Sequence, residues 1–376
     1  MQASERTRGA RSGGVLIYRL GSLGDTVVAL PAFHWIRNQY CGERITALTN
    51  QPVHSKAPPL ASVLENTGLV DDFMSYPVEL RRFAELKRLR DAIAARRFHT
   101  VISLTASRGL AKSLRDWFFF RWCGAQQIIG IPFRRADLQC HRNHGSGFYV
   151  SEAQRLLHRL PLHESINWEA DKWWDLHLTR VEEHQAQELL DQSGVTPPFL
   201  AVSVGTKVEA KDWGEENWRA LMRRIADQFY DLALVAVGAT EESARSERLL
   251  ALWPGIKANY CGRTSPRISA AVLKRAALFL GHDSGPMHLA ASVGTECVAI
   301  FTTHARPGQW FPRGRQHTVL YHQPQAKRSL TSITVGEVLG AVAKHLARHH
   351  RTETRSVAPE LVQGRLKRIS VVDLNP

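Results

Sequence analysis

The chain of 376 residues has no apolar run that reaches the roughly 18 residues a membrane-crossing helix needs, so no transmembrane span is expected. Its first residues, MQASERTRGARSGG, lack the apolar stretch of a secretory signal and read as a disordered basic leader over 1–14. Cysteine is sparse: five residues, at 41, 123, 140, 261 and 297, with no pair at CxxC spacing. That pattern argues against a zinc site and a disulfide framework, and it suits a reducing cytoplasm. Acidic residues are in short supply, 35 Asp and Glu against 49 Lys and Arg, which leaves a net charge of +14. A balance of that sign implies an acidic partner (nucleic acid, a phosphorylated glycan, a nucleotide or an anionic membrane) unless it serves solubility alone. Nucleic acid fits least, because the basic residues lack interleaved aromatics and no nucleic-acid-binding motif is present.

What the sequence does have is alternation. Strand-like runs at 15–20 (VLIYRL), 44–48, 99–104 (HTVISL) and 127–131 are separated by helical patterns over 25–39, 81–96 and 108–122. After an irregular stretch at 132–165 the alternation is cleaner. Strands at 199–205, 232–238, 257–260, 277–281 and 296–301 alternate with helices over 215–229, 241–252, 266–276 and 286–292. Such alternation predicts parallel sheets wrapped in helices, and the length favours two domains. The expected architecture is α/β: two Rossmann-like doubly wound domains facing across a cleft and joined near 172–195. The domains are expected over 15–175 and 176–330, with a closing helix within 331–349 and a basic tail over 350–376 whose early part is mobile.

Sheets of this kind place ligands just past the C-terminal ends of their strands. The first such turn is Gly21-Ser22-Leu23-Gly24-Asp25, where two glycines let a ligand approach closely. Asp25 suits either a helix N-cap or a general base at the cleft edge. Pro31 predicts a bend in the helix that follows. After strand 199–205, Gly205, Thr206 and Lys207 are candidates for binding donor phosphate. Lys211 in KDW either neutralises a diphosphate or is a solvated lysine. Trp213 and Trp218 imply a packed loop, with Trp218 serving the core. Glu241 and Glu242 follow the next strand, suited equally to ribose hydroxyls and to the positive N-terminus of their own helix. In GHDSGPMHLA, the amides of Ser284 and Gly285 form an anion seat at a helix N-terminus. Pro286 suits the first helical position, which needs no amide. His288 is a donor to the ligand or a structural histidine, and Asp283 contacts sugar hydroxyls or orders the loop. Ile268, near the start of helix 266–276, completes the donor-binding set.

GSLGDTVVALPA, KDWGEENW and DSGPMHLAA, in this order and at these separations, resemble glycosyltransferase family 9, the family of the lipopolysaccharide heptosyltransferases. The resemblance covers roughly residues 15–348, and DSGPMHLA is its most specific element. It implies a GT-B fold and an inverting, metal-independent sugar transfer. In the type members heptose passes from ADP-heptose to a lipopolysaccharide core precursor. It also implies roles: Asp25 as base, Lys211 on phosphate and sugar, Asp283, Ser284, Gly285 and His288 in the donor motif, and Glu242 beyond the second strand of the C-terminal domain. No cofactor is expected apart from the nucleotide-sugar co-substrate. The chain departs from the family pattern in three places. Gly214 stands where relatives usually have Pro, AIFTTHARPGQW replaces a Gly-Pro turn, and LTASRG replaces a D-L-Q-G-like stretch on the acceptor side.

The partners this implies are a nucleotide-sugar donor and an anionic glycolipid acceptor. The basic run Arg81, Arg82, Lys87, Arg88, Arg90, Arg96 and Arg97 steers a phosphorylated acceptor, rests on the inner face of the inner membrane, or is a solvated helix face. Two rival readings stand beside this one: a family member with another nucleotide sugar and acceptor, and a non-catalytic nucleotide- or anion-binding protein.

Overall fold

The computed structural model describes residues 13–51, 58–78, 80, 82–143, 145–162, 166–206, 208–301, 306–321 and 333–356. The N-terminal half runs β1 (Val15–Tyr18), α1 (Leu23–Val28), α2 (Leu30–Gln39), β2 (Ile45–Gln51), α3 (Ala61–Leu64), β3 (Asp72–Pro77), α4 (Phe83–Ala95), β4 (Thr100–Ser103), α5 (Leu110–Trp122) and β5 (Gln127–Ile129). Its strands pair in parallel in the order β3-β2-β1-β4-β5. The central strand VLIY is buried at every position, as a parallel strand covered on both faces must be. Short helices α6 (Arg135–Leu138) and α7 (Glu152–Leu157) lie in the stretch read as irregular.

The second half begins with α8 (Arg180–Gln192) and β6 (Phe199–Ser203). It continues through α9 (Glu215–Gln228), β7 (Ala233–Ala236), α10 (Ser243–Leu250), β8 (Lys257–Asn259), α11 (Pro266–Leu273), β9 (Leu278–His282), α12 (Gly285–Ser292), β10 (Cys297–Ile300), β11 (Thr318–Leu320) and α13 (Val335–Ser356). Its sheet is parallel in the order β11-β10-β9-β6-β7-β8. That is the strand order of doubly wound dinucleotide-binding sheets. The strand order reverses between β1 and β4 in the first sheet and between β6 and β9 in the second. Crevices open at such reversals, so the loops after β1, β6 and β9 are where a ligand belongs.

The expected helix over 25–39 is two helices. The chain breaks at Ala29, two residues ahead of the expected bend, and Pro31 becomes the second residue of α2, where its missing amide costs nothing. Strands β3 and β11 are edge strands; β3 is half-exposed and mixed in composition (DFMSYP) and β11 has only three residues, which is why they escape a reading by hydrophobicity. Helix α8 lies in the segment read as a joint. It is capped by Thr179 and Glu182, whose groups exchange hydrogen bonds (Thr179 N–H to Glu182 Oε2, 2.8 Å; Glu182 N–H to Thr179 Oγ1, 3.2 Å). Helix α13 continues to Ser356, so the first residues of the tail expected to be mobile are helical. Residues 1–12 and 357–376 lie outside the described residues. Among the described residues no helix is long and apolar enough to cross a membrane, and the five cysteines are free thiols.

Charged groups tie the halves together. Arg267 on α11 is 1% exposed and forms a two-pronged ion pair with Glu182 of α8. The same guanidinium donates to the carbonyls of Val63, Leu176 and His177. Across the opposite side, the 149–152 segment joins the 307–309 loop. Tyr149 N–H donates to Pro307 O at 2.8 Å, and Glu152 N–H donates to Gln309 O at 2.9 Å.

Candidate active site

The turns after β1 and β9 touch. A Cβ on Gly24 would lie 2.9 Å from His288 Cδ2, and one on Gly285 would lie 2.6 Å from Leu23 Cδ2. Both glycines are therefore required for space. Gly21 is required for a second reason: its φ of +131° is the left-handed region, and a Cβ there would meet Asp25 Cβ at 2.4 Å.

Asp25 is not the N-cap. Ser22 holds that place, and Asp25 is the third residue of α1, reaching back so that Ser22 N–H and Oγ–H donate to its Oδ2 at 2.7 and 2.9 Å. Asp25 Oδ1 faces Arg19 Nη2 at 3.8 Å, beyond hydrogen-bond reach, and the side chain keeps 27% of its exposure. Arg19 is fully buried and donates to the carbonyls of Asp25 and Leu104, clamping the ends of β1 and β4 at the crevice.

On the facing side Lys211 Nζ donates to Asp283 Oδ2 at 2.5 Å. Asp283 is 8% exposed, while the lysine side chain is about a third exposed and reachable from solvent. Of the two sequence readings for Asp283, ordering the loop is the one this contact serves. His282, the residue before Asp283, is fully buried. Its Nε2 accepts from Trp213 N–H at 3.1 Å and its Nδ1 faces Gly205 O at 3.4 Å. Burial pulls its pKa down to about 4, so the ring is neutral and can bridge an amide and a carbonyl. The KDW loop is pinned further by Trp213 Nε1 on Ile333 O (2.8 Å) and by Asp212 on Arg245 (2.6 and 2.9 Å). Trp218 lies in the core, as expected, edge-on to Trp213 and His282.

Ser284 caps α12 with extended backbone, yet its side chain makes no cap bond. Its Oγ is buried and has no hydrogen-bond partner among the described residues. Native structures rarely leave such an atom unsatisfied, and at a helix N-terminus the natural partner is an anion. One turn on, His288 is 5% exposed and lies beside Trp310. Burial lowers its pKa; Asp283 and Asp25 push it back up and Lys211 pushes it down, so all three charges surround the ring.

Glu242 occupies the next crevice edge. Its carboxylate fills the space above Gly205 and Gly238, where a Cβ on either would fall 2.0 and 2.1 Å from its oxygens, and it accepts from Ala239 N–H at 2.9 Å. Thr206 closes a local turn with Val208. Ile268 packs against the apolar core at the start of α11, its N–H bonded to Ser265 Oγ. Lys207 lies outside the described residues. The structure thus gathers Gly21, Gly24, Asp25, Lys211, Asp283, Ser284, Gly285 and His288 into one cluster. His282 bridges toward Gly205, and Glu242 packs on that glycine. Thr206 and Ile268 take no part in the contacts of either group.

The family model for glycosyltransferase family 9 (heptosyltransferase) matches residues 124–335, more than half of the chain. This chain belongs to glycosyltransferase family 9. The lipopolysaccharide core heptosyltransferase OpsX of Haemophilus influenzae is 24% identical to it over 135 residues, a stretch that spans 36% of this chain and 38% of that relative. A family 9 glycosyltransferase from Veillonella parvula superposes with a TM-score of 0.69 at 18% identity, covering 90% of this chain and 98% of that one. The E. coli ADP-heptose lps heptosyltransferase II gives 0.62 at 16% (90% and 99%). The E. coli heptosyltransferase WaaC with ADP gives 0.61 at 19% (88% and 99%). These likenesses establish the GT-B fold: two parallel-sheet α/β domains face to face.

Within this family 9 chain, the sequence reading missed three residues that shape the site. Arg19 had a signal, a cation closing the apolar run VLIY. His282 adjoins DSG but reads as part of a strand. Ser22 carries no separate signal, because Asp25 three residues on is equally suited to a cap. The departure at Gly214 is one of backbone: its φ is +95°, whereas proline is held near −65°. The replaced Gly-Pro turn falls partly on residues 302–305, outside the described residues, but its continuation at 307–310 carries the interdomain bonds and Trp310.

Two tests follow from this packing. Gly24→Ala drives a methyl into His288, so it is expected to lower stability by about 1–3 kcal/mol and to weaken nucleotide binding; a variant equal to wild type in both would contradict the contact. His282 holds fewer protons folded than unfolded between its folded pKa of about 4 and its ordinary 6.5, so stability falls as pH drops through that window, by roughly 3 kcal/mol in all. His317, also lowered to about 4 by burial, adds a loss of the same sign. Urea denaturation at pH 7 and pH 5 is expected to show a smaller acid loss in His282→Gln than in wild type, with lower stability at pH 7.

Proposed function

We propose that this chain transfers a heptose from ADP-heptose to a lipopolysaccharide core or related surface-glycan acceptor, with inversion and without a metal, at the cytoplasmic face of the membrane. The observation that carries the reading is the meeting of the two turns: an acid on one domain and a cationic, amide-lined anion seat on the other, brought together at Gly24 and Gly285. Family membership and the names of the relatives support the choice of heptose.

The acceptor hydroxyl oxygen attacks the anomeric carbon as the bond from that carbon to the diphosphate oxygen breaks. The hydroxyl proton passes to Asp25. Oδ2 already takes both Ser22 bonds, so Oδ1 is the oxygen free to accept it. The electron pair of the broken bond leaves on the diphosphate. Lys211, the amides of Ser284 and Gly285 and the Ser284 hydroxyl stabilise the charge that develops there. His288, neutral and buried, donates to a donor oxygen, and Glu242 accepts from the ribose hydroxyls.

Asp25→Asn is expected to lower turnover roughly 10²- to 10⁴-fold while leaving donor affinity near wild type, and chelation by EDTA is expected to leave the wild-type rate unchanged. Turnover and donor affinity falling together in Asp25→Asn would reduce Asp25 to a helix-end residue.

A further inference from the structure

Outside this cluster but adjoining it at Leu20, a groove of 790 Å³ opens between the C-terminal edge of the first sheet and helices α4 and α5. Leu20, Leu48, Leu86, Leu89, Phe119 and Phe120 line it. Its volume is within the range of small-ligand sites, roughly 300–1,000 Å³. Asn50 also lines it, and its Oδ1 is buried without a hydrogen-bond partner among the described residues.

The groove continues onto the surface. On α5, Leu110, Leu114, Phe118 and Trp122 recur at every fourth position and are 49%, 42%, 62% and 40% exposed. This spacing puts them in one row along the helix. Phe83 of α4, 71% exposed, stacks on Trp122 with ring centres 6.1 Å apart. Phe118 and Trp122 also line the groove, so the row runs into it, and the paired Arg108, Arg115 and Asp116 form its polar part. A contiguous apolar patch of this kind on a soluble chain marks an interaction face.

The rim is cationic. Between residues 82 and 122 the chain has ten Lys and Arg against three Asp and Glu. Arg82, Lys87, Arg88, Lys112 and Arg115 are exposed. Arg90 lies over the Trp122 ring at 4.9 Å. The fold packs Phe83 and Arg90 of α4 against Trp122 of α5, so cations and aromatics of the two helices meet. An apolar stripe with aromatic side chains and flanking Lys and Arg is the layout of a helix lying in a membrane interface, its cations reaching anionic headgroups. A second copy of the chain fits worse, because it would set this cationic rim against itself.

We propose that this face docks on an anionic phospholipid bilayer, with the α5 row among the acyl chains and the groove receiving one of them. The inference stands apart from sugar transfer. One consequence does rest on that reading: Leu20 of the groove immediately precedes the Gly21–Asp25 turn, so a lipid-borne acceptor would arrive beside Asp25.

The test is flotation of the full chain with vesicles of phosphatidylcholine alone and with phosphatidylglycerol added. Wild type is expected to float only with the anionic vesicles, and less so as salt rises. Leu114→Ser with Phe118→Ser is expected to bind about a hundred-fold more weakly while keeping the wild-type melting temperature. If that pair melts early, Lys87→Glu with Lys112→Glu replaces it and is expected to abolish flotation. Wild type that ignores anionic vesicles, or variants that float as well as wild type, would overturn the proposal. So would a wild-type dimer in sedimentation equilibrium that the Ser pair dissolves without changing flotation. None of these outcomes alters the rate on a soluble acceptor, which tests sugar transfer separately.

Discussion

Everything in the site depends on two places where there is no side chain. Gly24 and Gly285 lie in the first turns of helices in different domains, and each makes room for the other domain's side chain, His288 in one case and Leu23 in the other. With a methyl at either position the first turns of α1 and α12 could not touch. The contact brings the carboxylate of one sheet edge to the amides and lysine of the other, which neither domain supplies alone.

The rest of the local structure keeps these groups where the contact puts them. Arg19, inside the first domain, holds the backbone of the Asp25 turn against the end of β4, so the acid sits on a clamped loop. His282 does the corresponding work in the second domain, joining the ends of β6 and β9 to the KDW loop through one neutral ring. Fixed dipoles and charges of this kind need little reorganisation when charge develops on a leaving group, and burial at Asp283 and His288 strengthens them by excluding water. Lys211 is held by Asp283 at the mouth of the site, so its charge is positioned before a ligand arrives.

Much of this was legible in the sequence, and the reasons differ by element. The alternation of apolar runs with helical patterns exposes two parallel sheets, because strands buried on both faces must be apolar throughout. The turns after β1, β6 and β9 are marked by Gly, Ser and Asp, residues chosen for backbone freedom and capping, and those turns fall where the strand order reverses. Edge strand β3 is too exposed and β11 too short to carry that signal. Pro31 implies a bend inside one helix, whereas in the fold it helps to begin a second helix after the break at Ala29. The long-range partners of Arg19 and His282 are carbonyls and amides of distant segments, and backbone groups leave no mark in sequence. Likewise the apolar row on α5 reads as an ordinary amphipathic helix until the fold shows which face is left uncovered.

The most direct measurement is a crystal structure with an unreactive ADP-heptose analogue bound. The account predicts the diphosphate at the N-terminus of α12, within hydrogen-bond distance of Ser284 and Lys211, with the anomeric carbon turned toward Asp25 Oδ1 across the Gly24–Gly285 contact. A diphosphate seated away from α12, or a sugar that Asp25 cannot reach in the closed form, would contradict it.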